Sequence, residues 1–323
     1  MVVKETINWG IFSTGDIASK MADALKSVKG ANLLAVASRD EKRAKEFAQK
    51  HGINYFYGTY DELLKNPEID IVYIATPNSL HYENMLQCLN NGKSVLCEKP
   101  FTMDYNQAKE VVDLAREKNL FVMEAHKSFF LPGIKKIEEL IKNDAIGKVK
   151  FLRADFCFLP PKAKEYRLLY PEFGGGALLD VGCYAISFAN YFLGNPIEVI
   201  SQTDMNDTEV DGFSAISIKH ESGANSLLSC SINFSAPREG LIVGESGYIK
   251  IHEPFHQAPR LTVKSADKPI YEIDTSFSTN GLDFEAQCAT DCLLKGKTEC
   301  EIFPAEKTLQ VMKVIDEVKS AVI

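Results

Sequence analysis

The strongest constraint in this sequence is a change of hydrophobic rhythm near residue 125. Before it, short apolar runs alternate with helical patterns: 7–12 then 16–28, 33–37 then 41–50, 71–75 then 79–90, 95–97 then 105–118, with a last run at 120–123. Parallel strands need a crossover, and a helix between each pair supplies it, so this half predicts a doubly wound parallel sheet. After Gly147 the apolar runs follow one another directly, as in KVKFLRADFCFL, FSAISIKH, NSLLSCSINFS, LIVGESGYIKI and RLTVKS. Gly, Pro, Asn and Asp separate them, which predicts antiparallel strands with one face covered. Helical patterns at 179–192, 284–294 and 304–322 interrupt or close this half. The expected fold class is therefore α/β, with a dinucleotide-binding domain over 1–124 and a substrate-binding α+β domain with an open antiparallel sheet over 125–323.

Composition narrows the partners. The formal net charge of -8 and a pI near 5.4 leave no global basic field, so neither duplex nucleic acid nor an anionic membrane surface is expected. The opening MVVKETINWG lacks the apolar core of a secretory signal, and the sequence reads as free of membrane spans, which makes a cytoplasmic protein the expectation. Eight cysteines are scattered without a C-x-x-C pair and read as reduced core thiols, with no metal site.

The first strand-to-helix turn carries a cofactor signal. In WGIFSTGDIA, Ser13-Thr14-Gly15-Asp16-Ile17-Ala18 occupies the place of a G-x-G-x-x-[GA] fingerprint, with Ser13 standing for the first glycine. Gly15 is the position that lets backbone approach a pyrophosphate, Ala18 permits close helix packing, and the helix N-terminus supplies amide donors. At the end of the second strand, where an NAD site usually places an acidic residue, the chain reads Ala37-Ser38-Arg39-Asp40. A serine hydroxyl and an arginine fork suit a ribose 2′-phosphate, with Arg43 one turn on, so NADP is expected over NAD. Arg39 as a solvated helix-start residue beside an Asp40 cap is the alternative. ATPNSLH places Thr76, Pro77 and Asn78 at the carboxyl end of another strand, with Asn78 or Ser79 as a helix cap. His81 follows and either faces the nicotinamide or packs.

VLCEKPFT raises a question of its own, because a short buried strand runs into Glu98, Lys99 and Pro100. In order, WGIFSTGDIA, AVASRD, ATPNSLH, VLCEKPFTMD, FVMEAHKSFFLP and GGGALLDVGCYAI resemble the glucose-fructose oxidoreductase, inositol dehydrogenase and MocA family up to about residue 194. Within it the sequence is similar to the branch of dimeric dihydrodiol dehydrogenases and NADP-dependent xylose dehydrogenases. The resemblance implies an N-terminal Rossmann domain, a C-terminal open antiparallel sheet, and NAD(P)-linked hydride transfer with a sugar, polyol or related carbonyl. It further implies that Lys99 is the catalytic lysine, that Pro100 is cis, and that a homodimer or higher homo-oligomer forms.

The remaining candidates follow from the chemistry of alcohol oxidation, which needs a group that holds the hydroxyl proton. Asp180 and Tyr184 stand four apart on a predicted helix and so share a face. Tyr184 serves if the Lys99 ammonium favours its phenolate. Glu98 supports the lysine or the bend. Where the branch has Trp-Thr-Arg-Phe after MEA, this chain has Lys127 at the tryptophan position and Phe129 at the arginine position, so the substrate is not transferable. His126, Lys127 and Arg167 are candidate contacts for a small-molecule substrate. Two other readings are an NAD-linked inositol-like dehydrogenase and a non-catalytic NADP-binding sensor.

Overall fold

The structure, a computed structural model, describes residues 4–161, 167–266 and 268–322. Two compact units emerge. One comprises Met1–Lys127 and Ser278–Ala305, the other Ser128–Phe277 and Glu306–Ile323. The sequence reading assigned everything after 124 to one domain, whereas residues 278–305 return to the first unit. A helical period reveals an apolar face but not which sheet that face will cover.

The first unit runs β1 (Ile7–Phe12), α1 (Asp16–Leu25), β2 (Ala31–Ala37), α2 (Glu41–His51), β3 (Tyr55–Tyr57), α3 (Tyr60–Leu64), β4 (Ile71–Ile74), α4 (His81–Asn90), β5 (Ser94–Glu98), α5 (Tyr105–Lys118) and β6 (Val122–Ala125). Its sheet has the order β3-β2-β1-β4-β5-β6, with every pair parallel. All four residues of β4, Ile-Val-Tyr-Ile, are buried, as expected where helices cover both faces. Asp40, Thr59 and Asp104 open α2, α3 and α5, their side chains accepting hydrogen bonds from the amides of Arg43, Glu62 and Gln107. The returning helix, Leu282–Leu294, packs on α1 and β1 and is α8 in chain order. Gln287 fixes it by accepting from the Lys29 amide at 2.8 Å and donating to the Lys29 carbonyl at 3.0 Å.

The second unit contains α6 (Pro132–Lys142), β7 (Val149–Cys157), α7 (Cys183–Leu193), β8 (Pro196–Met205), β9 (Asp211–His220), β10 (Asn225–Ser231), β11 (Gly240–Gly244), β12 (Tyr248–Ile251), β13 (Arg260–Ser265), β14 (Lys268–Asp274) and α9 (Ala305–Ser320). Its eight-stranded sheet has the order β14-β13-β12-β11-β7-β10-β9-β8. All its pairs are antiparallel except β7 with β10. The chain leaves β7 for α7, re-enters at the far edge as β8 and meanders inward, so β10 arrives beside β7 running the same way. LIVGESGYIKI, which reads as one apolar run, is a hairpin: β11 and β12 pair antiparallel across the turn.

One sheet face carries Ile216, Ile218, Leu228, Ile242, Ile249, Leu261 and Val263 into the core, and α7 packs on β7 and β10. The other face aligns Ile200, Ser217, Leu227, Arg153, Leu241, Lys250, Thr262 and Glu272 in one row across the strands. The helical segment Pro171–Leu193 is long and apolar enough to cross a membrane, contrary to the reading from sequence. Its most apolar window is 83% buried, which marks it as a core element of this unit.

Candidate functional site

Parallel register builds the site. Ala37 pairs with Phe12, Phe12 with Ile74, Ile74 with Cys97, and Cys97 with Glu124, one row across β2, β1, β4, β5 and β6. The residues that follow this row lie at one edge of the sheet. These are Ser38-Arg39, Ser13 to Ile17, Thr76 to Asn78, and Glu98-Lys99, with His126-Lys127 one residue further on. This is the carboxyl edge of an open α/β sheet, and the strand order reverses between β1 and β4, where such sheets bind ligands.

At the end of β1, Ser13 adopts φ +90, a left-handed conformation that explains why glycine usually stands here. Its amide donates to the Ala37 carbonyl at 2.9 Å, and its hydroxyl accepts from the Gly15 amide at 3.3 Å. Gly15 has an ordinary φ of -77 and caps α1. A Cβ there would meet only the Ser13 hydroxyl at 3.7 Å. The protein's own packing therefore does not require a glycine, and the space in front of it fits a phosphate group. A groove lined by Thr14, Gly15, Asp16, Arg43 and Lys50 opens beside this turn. Lys50 was not a sequence candidate, because one more lysine on an exposed helix carries no signal.

Ser38 is buried, with its hydroxyl accepting from the Asp40 amide at 3.3 Å, whereas Arg39 is exposed. Among the described residues no carboxylate forms an ion pair with Arg39. The Arg39 charge is felt at Tyr60, where it opposes the upward shift that burial imposes on the phenol. Tyr60 in turn stacks on Phe12 with ring centroids 4.2 Å apart. Asp40 does cap α2, so that part of the alternative reading holds as well.

The Lys99–Pro100 peptide is cis. Two buried side chains brace the bend. Glu124 accepts from the Phe101 amide at 3.2 Å, and His81 places Nδ1 2.8 Å from the Pro100 carbonyl and Nε2 3.0 Å from the Thr76 carbonyl. His81 is fully buried, so its ring ties the end of β4 to the bend after β5. Asn84 donates to the Thr76 hydroxyl at 2.9 Å. Neither Asn78 nor Ser79 supplies the expected helix cap: a short 3-10 turn, Asn78–Leu80, leads into α4, which starts without a side-chain cap hydrogen bond.

Behind Lys99 lies a cluster that sequence reasoning missed. Tyr73 on β4 donates a short hydrogen bond to Glu98. Glu285 on α8 is fully buried, and neither of its carboxyl oxygens has a hydrogen-bond partner among the described residues. Burial, reinforced by repulsion from Glu98, raises the Glu285 carboxyl well above the usual range. Burial raises Glu98 as well, opposed by the Tyr73 hydrogen bond and by the charges of Lys99 and Lys127. Lys127 is half-buried, donates to the Asn280 carbonyl at 3.2 Å, and has its ammonium pKa lowered by burial against the pull of Glu285 and Glu98. The lysine at the branch's tryptophan position is thus the counter-charge of two acids. His126 is 1% exposed and tilts against Phe303, centroids 5.4 Å apart, which gives it interior surroundings where a substrate contact was expected.

In the second unit, Asp180 lies in a π-helical turn, Leu178–Gly182, that runs into α7, and its carboxylate accepts from Arg167 at 3.0 Å. Two expected substrate contacts are therefore each other's partners. Tyr184 is half-buried, its ring 5.4 Å from Phe156 and 5.0 Å from His256. Two of the glycines before this turn, Gly175 and Gly176, have an internal cause. A Cβ on Gly175 would lie 2.5 Å from the Leu168 carbonyl, and Gly176 has φ +106 with an Asp211 oxygen where a Cβ would go.

Comparison with known proteins places this geometry in a lineage. The model of an oxidoreductase family with an NAD-binding Rossmann fold matches residues 7–126, and that of the GFO/IDH/MocA C-terminal domain matches 134–250. The chain belongs to the GFO/IDH/MocA oxidoreductase family. This GFO/IDH/MocA protein is 35% identical to a trans-1,2-dihydrobenzene-1,2-diol dehydrogenase of Xenopus laevis, with 96% of each chain covered. It is 30% identical to the enzyme of that name from Homo sapiens, over 98% of this chain and 97% of the human one. Among solved structures it is similar to a 3-ketoreductase from Actinomadura kijaniata in complex with NADP and TDP-benzene. That match has a TM-score of 0.87 and 26% identity, and covers 98% of this chain and 97% of the other.

Proposed function

We propose that this protein is an NADP-linked dehydrogenase or reductase of a small diol, sugar or polyol. The observation that carries the reading is the carboxyl edge of the first sheet, where one register brings Ser13–Asp16, Ser38–Arg39 and Glu98–Lys99 to the same side. Diol dehydrogenase relatives and an NADP-bound ketoreductase neighbour support it. NADP, when bound, accepts or donates the hydride. The chain's own residues do the rest. Backbone around Gly15 receives the pyrophosphate, Arg39 and Ser38 hold the 2′-phosphate, Lys99 orients the reacting oxygen, and Tyr184 takes or returns its proton. Asp180, held by Arg167, borders the start of the helix that carries Tyr184.

A parallel screen of sugars, polyols and trans-dihydrodiols with NADP and with NAD, read by nicotinamide absorbance, tests the proposal. Turnover with NADP is expected. Faster turnover with NAD points to the inositol-like reading, and cofactor binding without turnover on any class points to a sensor.

Arg39→Ala should weaken NADP binding by roughly 10- to 150-fold, the worth of a charge-assisted contact, and leave NAD nearly unchanged. Isothermal titration with both cofactors decides this, and equal losses for the two would remove Arg39 from the 2′-phosphate. As a second expectation, a second copy of the chain covers the outward face of the eight-stranded sheet, where Ile200 is 64% and Leu227 49% exposed. Light scattering should give a dimer, and a monomer at micromolar concentration would refute it.

A further inference from the structure

The eight cysteines, read from the sequence as isolated core thiols, are not evenly dispersed. On α8, Cys288 and Cys292 stand one turn apart on the same face, and the chain beyond the helix folds back to bring Cys300 against them. The three sulfurs all lie within 4.8 Å of one another, with Cys288 and Cys300 at 3.3 Å. Cys292 and Cys300 are buried, and Cys288 is half-exposed.

We propose that Cys288, Cys292 and Cys300 form a three-thiolate site for a thiophilic closed-shell cation of the zinc and cadmium class. The chemistry and the geometry agree. Soft thiolates select such ions over hard cations, and metal–sulfur bonds of about 2.3 Å bring ligand sulfurs roughly 4 Å apart, within the observed spread. Three ligands leave a fourth position, which the half-exposed Cys288 edge opens to water. Binding the cation replaces the thiol protons, which leave to solvent, so affinity falls as pH falls. Lys297, paired with Glu301, also lies close enough to feel the Cys292 and Cys300 charges. Because the ion ties the last turn of α8 to residues 300–303, loading should also stabilise the first unit.

The test uses the full chain, reduced and stripped of metal without oxygen, and titrated with Cd²⁺. One equivalent should bind, with a thiolate-to-cadmium charge-transfer band, a Tm that rises with cadmium concentration, and displacement by Zn²⁺. Cadmium-edge X-ray absorption should count three sulfur neighbours, a readout that needs no variant. Cys300→Ser should weaken binding by more than the 10- to 100-fold typical of losing a group that merely supports a ligand. Cys88→Ala, a buried thiol elsewhere, should leave it unchanged. Absence of stoichiometric binding, fewer than three sulfur neighbours, or undiminished affinity in Cys300→Ser would each overturn the site.

Discussion

Tyr184→Phe is expected to lower kcat by roughly 10²- to 10⁴-fold, the usual worth of general acid-base catalysis, while the Kd for NADP stays within experimental error. The substitution isolates the hydroxyl because the ring is already held: it packs on Phe156 and His256 and half of it is buried, and a phenylalanine keeps those contacts. A structural role would show as lost stability, so the Tm of the variant should match the wild type. Deuterated substrate must give a primary isotope effect in the wild type, to establish that hydride transfer limits turnover. Under that condition, unchanged turnover in Tyr184→Phe would remove the tyrosine from proton transfer and pass the role to Lys99.

Lys99→Met should reduce kcat by a comparable factor and move the pKa of the pH-rate profile upward. An ammonium next to a phenol favours the phenolate and lowers its pKa, so taking the charge away does the reverse. Methionine keeps most of the stem volume, which separates charge from packing. The effect has a second source within the first unit, because the Lys99 charge is one of those that offset burial at Glu98. Without it the Glu98 carboxyl rises further, and Lys127 is left as the nearby cation for both Glu98 and Glu285. If Lys99 and Tyr184 act through each other as proposed, the double variant should be little worse than either single one. Additive losses, or a pH profile that does not move, would separate the two roles.

Much of the first unit was legible in the sequence, and the reason is local. Alternation of strand and helix sets a parallel sheet, parallel register aligns strand ends, and punctuation such as Thr76-Pro77-Asn78 and Glu98-Lys99-Pro100 marks the edge where ligands bind. Ser13 reads as the stand-in for a glycine, and its left-handed backbone shows what the position demands. Features that depend on contacts between distant parts of the chain were not legible. Glu285 sits in DFEAQCATD, where an acid reads as the solvated side of a helix; only docking of α8 buries it beside Glu98 and Lys127. The same docking gathers Cys288, Cys292 and Cys300, whose spacing matches no short ligand pattern. Arg167 and Asp180 were each plausible as contacts for a ligand, and nothing in their thirteen-residue separation announces that they pair. The break in LIVGESGYIKI was missed because apolar residues on both sides mask a three-residue connection.

The return of residues 278–305 also bears on how the chain is made. A ribosome delivers the first unit's six strands early, but α8 emerges only after a further 150 residues, those from 128 to 277, have been synthesised. Until then the face of α1 and β1 that α8 covers is bare, and the Lys29 backbone lacks its clasp from Gln287. Closing a flexible excursion of that length costs about 4 kcal/mol in chain entropy, and collapse of the intervening sheet into its own fold shortens the excursion that must be closed. Nascent chains should therefore acquire protease resistance in the N-terminal strands late, after the second unit has formed. A fragment that stops at residue 127 would lack the helix that completes its own core.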